Sequence, residues 1–86
     1  MDKVKQKARK ILNYIFKNHL DEKGYGSVEK AVKQMNGIIN ANDVQEIKKY
    51  AGFSSSLVRW YVDDSTEYQS PLIGKFSKLD EAIKKL

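Results

Sequence analysis

Apolar residues recur near the start of the chain at Val4, Ala8, Ile11 and Ile15, flanked by Leu12, while Lys3, Lys7, Lys10 and Lys17 fall on the opposite side at 100° per residue. This spacing predicts an amphipathic helix over 3–20. Asp21 to Gly26, with two glycines around Tyr25, is a breaker, and Ser27 then offers its hydroxyl as an N-cap to a run with Val28, Ala31, Val32 and Met35 on one face. Asn36-Gly37 is expected to close that helix. Ile38 and Ile39 are too short a pair for periodicity to separate a brief strand from a core plug.

Farther along, Asn42 and Gln45 have the spacing of a capping box, and the helix they open turns Val44, Ile47 and Ala51 inward before Gly52 stops it. Serines 54 to 56 start the next helix, with Leu57, Val58, Tyr61 and Val62 as its apolar side. From Asp63 to Lys75 the pattern is irregular. Pro71 and Gly74 limit regular structure there, so a short arm or rudimentary wing over 66–76 is expected, with Leu72, Ile73 and Phe76 available to the core. Ser77 and Asp80 open a last helix whose Leu79, Ala82, Ile83 and Leu86 share a face, and Lys84 and Lys85 suit its C-terminal dipole. The pattern as a whole predicts an all-α single domain of about five helices over 1–86, without internal repeats or linkers.

Length and composition agree with this. A chain of 86 residues, 41% hydrophobic and 31% charged, has room for one small core and enough apolar residues to form it. The absence of cysteine excludes disulfides and thiolate metal sites, and the single histidine, His19, leaves no imidazole cluster. No metal or cofactor is expected. No apolar run approaches the roughly 20 residues that cross a bilayer, and lysines interrupt the N-terminal stretch where a signal peptide would be continuously apolar. The expected setting is cytoplasmic, with no membrane partner.

Charge adds a functional direction. Of the net +5, the whole excess lies in residues 1 to 20, where Lys3, Lys5, Lys7, Arg9, Lys10 and Lys17 face only Asp2. A basic block on a small protein attracts polyanions and speeds the encounter with them, although lysines also coat ordinary solvated helix faces.

The most informative segment runs from Asn42 to Asp64, two short helical patterns separated by a glycine turn: Tyr50-Ala51-Gly52-Phe53-Ser54 leads into a helix containing Val58 and Arg59. These residues resemble the helix-turn-helix of DNA-binding proteins, most closely the lactose-repressor type. The resemblance covers about 23 residues and implies that Gly52 takes the left-handed conformation, Phe53 plugs the corner, Ser54 opens the recognition helix and Val58 anchors it, with Tyr61 one turn on. It further implies that Ser54, Ser55, Ser56, Arg59, Trp60 and Asp63 point outward. The serines would then meet phosphate oxygens and Arg59 a guanine edge, while Trp60 would lie against a sugar or thymine methyl or pack back onto the core. Asn42, Gln45 and Lys49 would clamp phosphate from the preceding helix. Apart from the resemblance, the basic block of the first helix offers Lys3, Lys7, Lys10 and Lys17 as weaker DNA-backbone contacts. The sequence departs from the family pattern at two places. Lys48 stands where a small residue is usual and must extend outward along its methylene stem, and Asp63-Asp64 close the recognition helix with negative charge.

Enzyme chemistry finds no constellation. His19 has no nucleophile or paired carboxylate in a motif, adjacent acidic pairs point in different directions on a helix, and Gly24-Tyr25-Gly26 lacks the lysine and hydroxyl residue of a phosphate loop. The expected function is therefore a small DNA-binding regulator of transcription or replication, acting on double-stranded DNA as a homodimer, with nucleoid association. The alternative is a helix-turn-helix-fold adaptor or inhibitor that docks a protein through Trp60, Tyr61 or the basic helix.

Overall fold

The computed structural model describes residues 2–66 and 69–86, the side chains of residues 54 and 55 excepted. Val4, Ala8, Ile11 and Ile15 form the buried stripe of α1 (Asp2–Lys17). That helix ends earlier than its pattern suggests: His19 adopts a left-handed backbone (φ 56°), and a single tight turn at Leu20–Glu22 follows, which buries Leu20. Helix α2 (Gly26–Ile39) buries Val28, Ala31, Met35 and Ile38. It runs through Asn36-Gly37, so these residues do not terminate it, and Ile38 and Ile39 are its last turn, with Ile38 in the core.

The reason Gly37 sits inside a helix is spatial. A Cβ there would overlap the hydroxyl of Tyr50 and lie 2.9 Å from Cζ of the same ring. Glycine lets the aromatic ring approach the α2 backbone, a use that sequence spacing alone reads as a stop signal.

Helix α3 (Val44–Lys48) is a short connector. Its cap lies one residue later than the Asn42–Gln45 spacing predicts: Asp43 Oδ1 accepts from the Glu46 N–H at 2.9 Å, and Glu46 Oε2 accepts from the Asn42 N–H at 2.9 Å. Ile47 is buried, whereas Ala51 is exposed and contributes nothing to the core. Helix α4 (Phe53–Ser65) buries Leu57 and Tyr61, four residues apart on one face, and Val58 is only partly covered.

Helix α5 (Pro71–Lys84) corrects the expected wing. Ser70 is its cap, with Oγ accepting from the Leu72 N–H at 3.3 Å, and Pro71 occupies the first helical position, where its missing N–H and fixed φ cost nothing. Residues 71–76 of the expected wing are thus helical, and Leu72 and Phe76 are core residues. Residues 67 and 68 of that segment lie outside the described residues. Ser77 falls in the middle of α5 and opens no helix.

Packing closes four helices into a ring: α1 lies against α2 and α5, and α4 also lies against α2 and α5, with α3 resting on α5. No strand occurs among the described residues. The molecule measures 33 × 19 × 17 Å and has one core, to which all five helices contribute.

Two carboxylates hold helix starts that belong to other helices. Asp64, at the end of α4, accepts the Ser27 N–H at 2.9 Å and so caps α2, where Ser27 is a buried residue of the first turn and not the cap itself. Asp80, 6% exposed on α5, accepts the Gly52 N–H at 2.9 Å and pairs with Lys84 at 2.9 Å. The Ala41 carbonyl accepts Lys5 Nζ at 2.7 Å, tying α1 to the loop before α3.

Candidate nucleic-acid interface

The turn between α3 and α4 is built by Gly52, whose φ of 89° lies in the left-handed region that favours glycine. Backbone bonds from Tyr50 to Ile47, Ala51 to Lys48 and Phe53 to Tyr50 tighten it, and Asp80 holds it from below. The expected left-handed glycine is present. Phe53, however, does not plug the corner: it is 42% exposed, its ring 6.1 Å from that of Tyr50, and half-buried Tyr50 fills the space over Gly37 in its place.

Arg59 is exposed on α4, and Asn42, Gln45 and Lys49 are exposed on the segment before it. Ser56 is half-buried; the side chains of Ser54 and Ser55 lie outside the described residues. Trp60 is also half-buried. It packs against the core, and Lys30 of α2 stands over its ring at 4.3 Å, so the indole is a joint between α2 and α4. Tyr61 is fully buried, meets Tyr25 edge to face at 6.3 Å, and its hydroxyl lies 3.3 Å from Ser70 Oγ. It is therefore no docking residue. Lys48 is exposed, as its departure from the family pattern requires.

The negative end of α4 is partly engaged. The Asp64 carboxyl is held below the ordinary aspartate value, first by the Ser27 backbone N–H and further by the charge of Lys30. Asp63 is exposed.

A second group of positive charge lies away from this turn. Lys7 and Lys10 of α1 and Lys75 and Lys78 of α5 line a groove of about 370 Å³ together with Pro71 and Gly74. Lys3 and Lys17 are exposed on α1, and Lys3 extends the same surface toward Lys85. Sequence reading placed Lys3, Lys7, Lys10 and Lys17 together opposite the core stripe of α1, but Lys7 is half-buried beside α5 while the other three are exposed. Lys75 and Lys78 were missed, because residues about seventy positions apart become neighbours only when α1 and α5 pack. Among the described residues, basic side chains meet carboxylates at Lys84–Asp80 and in the exposed His19–Glu22 contact at 3.1 Å, so these four lysines have no carboxylate within ion-pair distance there.

The described residues contain no group of three or more carboxylate and imidazole side chains placed to hold a metal, and no helix among them is long and apolar enough to cross a membrane. These elements define a small all-α domain with a basic surface. Compared with protein-family models, with curated proteins and with solved structures, the chain matches none.

Proposed function

We propose that this protein is a small regulator of transcription or replication that binds double-stranded DNA, with α4 over residues 54–64 set in the major groove. The observation that carries the reading is the left-handed Gly52 turn between α3 and α4, which leaves Arg59, Lys49, Gln45 and Asn42 exposed on neighbouring elements. Arginine can bond both acceptors of a guanine edge, while amide and ammonium groups bind phosphate oxygens and fix the register. Trp60 supports the helix from behind in this reading and touches no base. One module of this size reads few base pairs, so two copies on adjacent half-sites are expected, and light scattering that finds only a monomer with and without duplex would remove that part.

The test is a titration with a random-sequence duplex at low and near-physiological salt, following anisotropy of labelled DNA and the fluorescence of Trp60. Binding that weakens steeply with salt is expected, because a DNA binder displaces condensed counterions. No anisotropy change at low salt overturns the reading. Arg59→Ala should cost about 1–3 kcal/mol on a preferred site and relax preference at one base pair; an equal loss on every sequence would make Arg59 a phosphate contact.

A second reading, a protein-docking module, is favoured by Phe53. A ring this exposed beside Tyr50 is a ready interface anchor, and aromatic residues are frequent among binding hot spots. Phe53→Ser should leave DNA affinity unchanged under the first reading and abolish partner capture under the second.

A further inference from the structure

We infer that the groove between α1 and α5 is a clamp for the phosphodiester backbone, a contact separate from α4. Lys7 and Lys10 supply one wall, Lys75 and Lys78 the other, and α4 contributes no residue to it. The inference takes the identity of the polyanion from the DNA reading and adds to it a surface that the helix-turn-helix resemblance does not contain.

Three features make this more than a lysine-coated helix. First, the four lysines come from two packed helices and line one groove. Lysines three apart on a helix sit about 4.5 Å apart along its axis, and packed helices lie about 8–10 Å apart, so four positive charges share a groove with no carboxylate in its lining. Their mutual repulsion is relieved when a polyanion enters. Second, Lys75 is steered by Tyr14, its Nζ 5.5 Å from the ring, so this cation is partly positioned before any ligand arrives. Third, the surface is elongated. Lys3, Lys7 and Lys10 run along α1 and Lys75, Lys78 and Lys85 along α5, with Asp2 and Glu81 joining only toward one end. Seven residues of α1 cover about 10 Å, long enough for several consecutive backbone charges and far longer than one phosphate needs.

Gly74 gives a direct test. A Cβ there meets nothing within 4 Å, so Gly74→Glu puts a carboxylate into the groove without a clash while removing a flexible glycine from the first turns of a helix. The matched control is Gly26→Glu, the same exchange at the start of α2, where a Cβ is equally unobstructed. Both variants should melt at or above the wild-type temperature. In the duplex titration Gly74→Glu is expected to weaken binding at least tenfold at low salt, with Gly26→Glu close to wild type. Changing Lys7, Lys10, Lys75 and Lys78 together to Gln should flatten the dependence of log K on log salt by about 3.6; four contacts correspond to a loss on the order of a hundredfold between 50 and 200 mM. If Gly74→Glu binds like Gly26→Glu while Arg59→Ala weakens binding, the clamp is overturned and the α4 reading stands. If Gly74→Glu alone abolishes binding and Arg59→Ala has no effect on any sequence, the clamp stands and the α4 reading falls. If the wild-type protein binds no duplex at low salt, both fall.

Discussion

At the residue scale, two glycines with opposite uses decide the shape of the central segment. Gly52 is required for its backbone conformation and Gly37 for the space it leaves. Alanine at an ordinary helical glycine position stabilises by about 0.5–1 kcal/mol, so the sign of Gly37→Ala tests the contact with Tyr50. We expect Gly37→Ala to lower stability in the wild-type background and to raise it by up to about 1 kcal/mol in Tyr50→Ala, as measured by urea unfolding. A stabilising Gly37→Ala in both backgrounds would mean that the tyrosine ring is free to swing away. The pattern Asn36-Gly37 is visible in the sequence, but its meaning depends on a ring that arrives from α3's far end, and local spacing carries no information about that.

At the element scale, the starts of α2 and α4 are held by carboxylates from α4 and α5. Because the folded pKa of Asp64 is depressed, its contribution to stability is present above the unfolded aspartate value of about 3.9 and is lost as pH falls through the folded value. Thermal midpoints measured from pH 7 down to pH 2 should therefore drop less steeply for Asp64→Asn than for wild type, the difference developing below pH 4; parallel curves would remove Asp64 as a cap. Asp80 offers a comparison of two bonds on one group. Lys84 is 62% exposed and its ion pair is screened by water, whereas the bond to the Gly52 N–H is partly buried. Asp80→Ala should cost about 1–3 kcal/mol and Lys84→Ala less than about 0.5 kcal/mol in chemical denaturation. Equal effects would place the weight on the ion pair. The acidic residues Asp64 and Asp80 are conspicuous in the sequence only as members of adjacent pairs, and the natural inference from a Ser-x-x-Asp spacing is a local cap. Both instead act over 28 to 37 positions.

At the scale of the whole molecule, the ring of α1, α2, α4 and α5 shares one core, and Trp60 sits at the α2–α4 joint. Its fluorescence and the far-UV circular dichroism should then give superimposable urea transitions, as expected of a small two-state domain. A tryptophan transition that precedes loss of helicity would show that α4 detaches before the α1–α5 pair. The same arrangement separates the two basic features. Arg59 and Lys49 accompany the glycine turn, while the lysine groove belongs to α1 and α5.

What the sequence by itself determined is the central buried stripe of the helices, Ala51 being exposed where its spacing turned it inward. Val4, Ala8, Ile11, Ile15, Val28, Ala31, Met35, Ile47, Leu57, Tyr61, Leu79 and Ile83 are all buried as their periodicity requires, because a helix in water must cover its apolar stripe. The left-handed Gly52 was legible through the resemblance of the segment to a helix-turn-helix, whereas a glycine read as a helix end from spacing alone misled at Gly37. Tertiary structure alone decided that Pro71 begins a helix, that Phe53 faces solvent while Tyr50 takes the inner place, that Asp64 and Asp80 cap distant helices, and that Lys75 and Lys78 join Lys7 and Lys10. Each of these depends on which elements are neighbours in space, and hydrophobic periodicity specifies the buried side of an element without specifying the partner that buries it.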